Sequence, residues 1–173
     1  MIKRYKIVEY VLTAILMLAL LCIVKTAFGK PAKSDVVAGI DPHRAAAILE
    51  QLEKLEHEKR DIDLMAHLIY AENGDDSYSE YMKAMEYTGS VVLNRVASDR
   101  YPDTLEGVIY QRGQYACTWD GGIEKEPSAD AYEVASKLVK DGSKLPAGVL
   151  GAAEFKQGRV YDYVAGTYYC YLE

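Results

Sequence analysis

From Ile7 to Val24 the chain is apolar except for Glu9, Tyr10 and Thr13, and Lys3, Arg4 and Lys6 stand just ahead of that run. A basic flank followed by an apolar stretch close to the ~20 residues that cross a bilayer is the pattern of a transmembrane helix. The basic residues on its N-terminal side predict a cytoplasmic N-terminus, with everything after Lys30 outside. A cleaved signal peptide is the alternative, because Ala27-Phe28-Gly29 places small residues at the −3 and −1 positions of a cut. The run is nevertheless longer than the ~7–15-residue core usual for such peptides. Residues 1–29 therefore read as a basic flank and membrane anchor, and export follows on either reading. The rest of the 173-residue chain suffices for one domain of the usual ~100–150 residues.

Export changes how the charge is read. Of 20 basic and 26 acidic residues, four and one lie in residues 1–29, which leaves 16 against 25 outside, a net of −9. No basic stripe is available for nucleic acid, so that partner class is excluded. An acidic enzyme also gains no attraction to an anionic cell wall, and an anchor would supply the localisation that charge does not. Cys22 lies in the apolar run, while Cys117 and Cys170 lie in the exported part. In an oxidising compartment these two form the one candidate disulfide.

Lys30 to Gly39 reads as a linker. Asp41-Pro42 is a helix start, and Ile48, Leu52 and Leu55 then give a narrow apolar stripe amid charges: an amphipathic spacer helix packing one edge on the next domain. Residues 30–60 are assigned to linker and spacer, and 61–173 to a catalytic domain. Asp61 or Asp63 is expected to cap a new helix ending at Asn73-Gly74. Ser77-x-x-Glu80 reads as a capping box opening a helix to about Ser98, with Tyr81, Met85, Val92 and Val96 on one face. Gly89 within it predicts a close helix crossing. Asp103-x-x-Glu106 reads as a second capping box for a short helix through Tyr110. Gln111 to Pro127 reads as a long loop, and Ser128 as the cap of a helix stopped by Asp141-Gly142. Val160–Val164 and Thr167–Leu172, around Ala165-Gly166, predict a hairpin, with a third strand over Val149–Phe155. The fold class is α+β, mostly helical with a small C-terminal antiparallel sheet.

The chemistry is narrowed by exclusion. The three histidines are His43, His57 and His67. The first two sit on the charged spacer, and a partly buried structural role suits His67. No histidine follows Cys117, the order that a wall-cutting cysteine peptidase uses, although other chain orders exist. There is no H-E-x-x-H, no Cys/His spacing for zinc, no P-loop and no G-x-G-x-x-G, so no metal or cofactor is expected. Carboxylates remain. Glu50, Glu53, Glu56 and Glu58 belong to a solvated face. Glu72 instead continues the ridge of Met65 and Ile69, in the last turn of its helix. Apolar surroundings and the negative helix end both favour its neutral form. A carboxyl kept protonated near neutral pH is what protonates the leaving oxygen in glycosidic cleavage. A helix-terminal Glu can equally be a plain exposed carboxylate.

Four segments in order carry a resemblance: D-L-M-A-H-L-I-Y-A-E from Asp63 to Glu72, V-V-L-N-R-V from Val91 to Val96, Y-P-D-T-L-E-G-V-I-Y from Tyr101 to Tyr110, and Gln111, Gly113, Gln114 and Tyr115. Together they resemble the cell wall hydrolase family of spore cortex-lytic enzymes, the SleB type, over residues 61–142 and more loosely beyond. The resemblance implies a lysozyme-related catalytic domain that cuts peptidoglycan glycan strands, in cell wall or in the spore cortex during germination, with Glu72 as the catalytic acid. It implies the chemistry of lytic transglycosylases, in which the muramic C6 hydroxyl closes onto the anomeric carbon. Asn94, Arg95, Gln114 and Tyr115 match motif positions near the cleft and are expected to support it or contact substrate. Asn94 and Arg95 could equally fix the Glu72 helix. Trp119 is a candidate for stacking on sugar; of the C-terminal tyrosines, about half should face the core. The expected partners are glycan strands and, through residues 7–24, the membrane.

Two departures stand out. Many family members follow the catalytic Glu with a small residue, Arg and Gly-Glu, where this chain has Asn73-Gly74-Asp75-Asp76. Many also carry a histidine near the end, where this chain has Thr167-Tyr168-Tyr169-Cys170-Tyr171. Both bear on fine specificity. The alternative functions are an inactive glycan-binding homologue or an exported peptidase or amidase.

Overall fold

A computed structural model of the chain describes residues 41–74 and 80–172. The expected membrane segment, Ile7–Val24, lies outside them; among the described residues no helix is long and apolar enough to cross a membrane. By packing, the chain divides into residues 1–49 and residues 50–173. The described part of the first unit is the exposed start of helix α1 (Pro42–Asn73). The second unit holds the rest of α1, then α2 (Tyr81–Val96), α3 (Leu105–Ile109), α4 (Cys117–Asp120), a 3-10 turn (Gly122–Glu124) and α5 (Ala129–Asp141). Strands β1 (Val149–Ala153), β2 (Arg159–Val164) and β3 (Thr167–Tyr171) follow, as an antiparallel sheet in the order β1-β3-β2. The α+β expectation holds for the described residues, which are mostly helical with one small antiparallel sheet after the helices.

The expected break at Asp61 or Asp63 is not made, and one helix of 32 residues runs through both. Neither carboxylate is free to cap. Asp61 pairs with His57 one turn earlier, at 3.0 Å. Asp63 accepts from the Tyr132 hydroxyl at 2.8 Å. With no Gly or Pro between His43 and Asn73, nothing local stops the helix. Its ending at Asn73 with Gly74 in the left-handed region is as expected. Ile48, Leu52 and Leu55 of the expected stripe are exposed.

Helix α2 is the centre of the second unit. Met85 and Val92 join Met65, Leu68 and Ile69 of α1, Val108 and Ile109 of α3, and Val134 and Leu138 of α5 in one apolar cluster. Their sequence neighbours Ala84 and Val91 face a second cluster with Leu145, Val149, Val164 and Tyr169. The helix thus buries one side against helices and the other against the sheet. Gly89 sits at the crossing: a Cβ there would lie 2.5 Å from Leu138 Cδ1 and 3.1 Å from Met65 Sδ. Only a residue without that atom allows this approach, which is the close crossing expected of it.

Helix starts show where sequence signals slid. Helix α2 opens with Glu80 at the cap position, and its side chain does not cap the helix. Glu80 Oε2 accepts instead from the Ala165 amide, at 3.3 Å; Ser77 lies outside the described residues. Helix α3 is capped by Thr104, whose Oγ1 accepts from Gly107 N at 3.1 Å, and not by Asp103. Ser128 caps α5 as expected, accepting from Ala131 N. The expected loop from Gln111 to Pro127 contains α4 and the 3-10 turn. The hairpin turns at Ala165 (φ 47°) and Gly166 (φ 85°), the doubly positive φ that matches strand twist across a two-residue loop.

Candidate active site

The end of α1 and the α4 segment form a cavity of about 450 Å³. Its walls are Ala71 and Glu72 from α1, Ala116, Cys117 and Asp120 from α4 and its entry, Gly121 and Gly122, and Lys125. The preceding part of α1 is fixed by core residues Met65, Leu68 and Ile69. The end of α1 is tied on its far side. Asn73 Nδ2 donates to Ile69 O at 2.7 Å, and Asn73 Oδ1 accepts from Thr88 Oγ1 at 3.3 Å. Thr88 Oγ1 in turn lies 3.2 Å from the buried Tyr169 hydroxyl of β3. The opposite wall is held to α1 by His67, whose Nδ1 meets the Ile123 carbonyl at 2.7 Å. That is the partly buried structural role expected of His67.

Glu72 keeps part of its surface open to solvent while protein atoms crowd its carboxyl. The crowding is the largest cause raising its pKa above the ordinary 4.5, and the charge of Asp120 adds to it. A hydrogen bond with Cys117 acts in the other direction. Burial, followed by the bond and the charge of Glu72, pushes the Cys117 thiol up to about 12. Such a thiol stays protonated at neutral pH and makes a poor nucleophile. A cysteine-peptidase reading thus lacks its thiolate as well as its histidine. Asp120 is held by its own turn, with Oδ1 accepting from Gly122 N at 2.8 Å.

The other expected site residues separate into two groups. Asn94 and Arg95 are buried on α2 and bind backbone rather than facing the cavity. Asn94 Nδ2 donates to Pro146 O at 2.9 Å and to Val149 O at 3.0 Å. Arg95 Nε donates to Leu150 O at 2.8 Å, and Nη1 to the Tyr115 hydroxyl at 3.2 Å. The guanidinium also stands over the rings of Tyr101 and Tyr115. These bonds dock the Pro146–Leu150 segment and Tyr115 onto α2, and neither Asn94 nor Arg95 lines the cavity. Tyr115 is buried too, and burial pushes its phenol up to about 12. Gln114 and Trp119 are exposed, Trp119 at 62%, and neither lines the cavity.

Cys117 and Cys170 are both free and buried, so the expected disulfide is not formed. Cys117 is turned to Glu72, while Cys170 pairs with Gly151 and Val160 inside the sheet. Little in the local sequence marks Cys117 as a neighbour of Glu72 or Lys125 as part of the cavity. The one local signal was the Gly121-Gly122 pair after Asp120, which lets the chain turn back beside the cavity.

The cell wall hydrolase profile matches residues 79–165, just over half of the chain. The chain belongs to the cell wall hydrolase family. The matched region takes in α2, the cavity's α4 wall and the first two strands, and begins seven residues after Glu72. Among curated relatives of this family, the spore cortex-lytic enzyme of Oceanobacillus iheyensis is 34% identical over 83 residues, 48% of this chain and 29% of that protein. The spore cortex-lytic enzyme of Bacillus cereus is 33% identical over 85 residues, 49% of this chain and 30% of that one. The chain thus spans under a third of the length of these relatives. The catalytic domain of a germination-specific lytic transglycosylase, SleB of Bacillus anthracis, superposes with a TM-score of 0.52 at 20% identity, covering 64% of this chain and 93% of that domain. The catalytic domain of the Bacillus cereus SleB protein gives 0.53 at 19%, covering 82% and 99%. The cell wall hydrolase fold of this chain is therefore that of the SleB catalytic domains.

Proposed function

We propose that this chain cleaves the glycan strands of peptidoglycan, with Glu72 as general acid and then general base. The observation that carries the reading is a carboxyl at the wall of an open cavity, with its pKa raised by crowding and by a neighbouring anion. Such a group holds a proton at a pH where ordinary carboxyls have lost theirs, and can deliver it to a glycosidic oxygen. The C–O bond then breaks, with its electron pair leaving on that oxygen. The muramic C6 hydroxyl attacks the anomeric carbon and its proton goes to the Glu72 carboxylate, which restores the acid and leaves a 1,6-anhydro end. Attack by water instead leaves a reducing end. One acid–base group suffices for the first route, and no protein nucleophile is needed.

The exposed Trp119 and Gln114, on the segment that forms the cavity wall, are proposed to meet sugars beyond the cleavage point. Residues 7–24 are proposed to hold the domain on the outer face of the membrane. Recovery of a soluble protein beginning at Lys30 would refute the anchor. The test of the activity is digestion of purified peptidoglycan by the full chain and by Glu72→Gln, with the fragments read by mass spectrometry. Gln keeps the shape but delivers no proton, so a loss of about 10²–10⁴-fold is expected. Cleavage by a folded Glu72→Gln protein within about threefold of the parent, far inside the general-acid range, sinks the proposal. Binding of glycan without cleavage by the parent chain would point to the inactive homologue.

A further inference from the structure

We propose that Asp120 serves the same reaction as a fixed anion, stabilising the positive charge that develops on the sugar ring as the glycosidic bond breaks. The inference rests on the glycan-cleavage reading above and adds a second working residue to it.

Three features of the structure lead there. First, Asp120 and Glu72 line one cavity from its two walls, the end of α1 and the end of α4. A ring bound with its leaving oxygen at Glu72 lies within the field of both carboxyls. Second, Asp120 is oriented before substrate arrives. Its Oδ1 accepts from the Gly122 amide at 2.8 Å, across Gly121 in the left-handed region. A Cβ at Gly122 would stand 3.0 Å from that oxygen and 3.0 Å from Cys117 Cβ, so the turn has little room to shift. Third, the charge of Asp120 reaches Glu72 and favours its protonated form. One anion therefore both keeps the acid loaded and opposes the charge that loss of the leaving group creates.

The other groups that bear on Glu72 act differently. The Cys117 thiol bonds to it and is neutral. The phenols of Tyr115 and Tyr169 both feel its charge and are pushed up to about 12, so they are neutral as well. Lys125 brings a positive charge to the same cavity and opposes Asp120. The nearest histidine on its own helix, His67, is held to the Ile123 carbonyl. Among the described residues, Asp120 is thus the anion that lines the cavity beside Glu72. It makes no bond in the reaction: the proton passes from Glu72 to the leaving oxygen and returns from the C6 hydroxyl.

The test is Asp120→Asn in the full chain, with a pH–rate profile on purified peptidoglycan. Asn keeps an oxygen for the Gly122 amide and loses only the charge. The expected result is a kcat at least about tenfold lower with KM within about twofold, less than the roughly 10²–10³ of a fully enclosed electrostatic group because Asp120 is open to solvent. The alkaline limb of the profile, where Glu72 loses its proton, should move to lower pH. Asp120→Ala, which loses charge and hydrogen bond together, should lower kcat by at least as much. A parental kcat and an unmoved alkaline limb in Asp120→Asn overturn the inference, and a defect confined to Asp120→Ala assigns the residue to the turn alone. If Glu72→Gln is inactive while Asp120→Asn is parental, only this inference fails. If Glu72→Gln is active, the glycan-cleavage reading fails first.

Discussion

Replacing Arg95 by Met separates structural support from substrate contact. Arg95 is 5% exposed and its guanidinium has no carboxylate partner among the described residues. It is held by the Leu150 carbonyl, the Tyr115 hydroxyl and two tyrosine rings. Met fills much of the volume but leaves the carbonyl and the hydroxyl without their partner, at about 1–3 kcal/mol each. Loss of two cation–ring contacts adds about 0.5–2 kcal/mol apiece. Against this stands the relief of no longer burying a guanidinium, which is several kcal/mol. The net expectation is a loss of about 2–4 kcal/mol. For a unit of this size that lowers the thermal midpoint by about 10 °C. The assay is thermal and urea unfolding followed by circular dichroism, with KM on purified peptidoglycan measured well below the new midpoint. Activity there should fall through kcat and the folded fraction, with KM little changed. A midpoint within about 2 °C of the parent, which is under 1 kcal/mol, together with a KM raised severalfold, would refute the reasoning and return Arg95 to the substrate.

Gly89→Ala tests the helix crossing. Ala gains about 1 kcal/mol in helix propensity, but its Cβ would stand 2.5 Å from Leu138 Cδ1 in a closed core, and overpacking costs about 1–3 kcal/mol. A net destabilisation of about 1 kcal/mol in urea is expected, and a stabilised variant would mean that Leu138 yields freely. The raised pKa of Glu72 has a stability consequence of fixed sign. The folded state holds the proton more tightly than the unfolded one, whose carboxyl titrates near 4.5. Stability is therefore lost as pH rises from about 4.5 through the folded pKa. The thermal midpoint of Glu72→Gln should gain on the parent across that window and stay level above it. A difference independent of pH, or of opposite trend, would show that the carboxyl is not held protonated.

Signals carried within a few residues of each other were legible in the sequence. Ser128 before an apolar-periodic run, Asn73-Gly74 at a helix end and Ala165-Gly166 between alternating strands each act through local hydrogen bonds or φ angles, and each stands where expected. Gly89 announced a crossing because a glycine inside a long helix costs stability that only close packing repays. Glu72 stood out because it prolongs a core ridge, but its raised pKa comes from crowding of the carboxyl, with the charge of Asp120 added, a neighbour that the ridge does not reveal. Tertiary structure decided wherever a side chain had a choice of partners. Asp61 and Asp63 look like caps until His57 and Tyr132 take their carboxylates. Asp103 and Thr104 both suit an N-cap, and the structure uses Thr104. Asn94 and Arg95 match positions that suit either substrate contact or support, and the carbonyls they bind lie more than fifty residues later and arrive only when β1 docks. The cavity itself joins Glu72 to Cys117, Asp120 and Lys125 across more than forty residues. No local periodicity records that meeting, because it comes from α2 burying both of its sides and from His67 tying the Ile123 turn to α1.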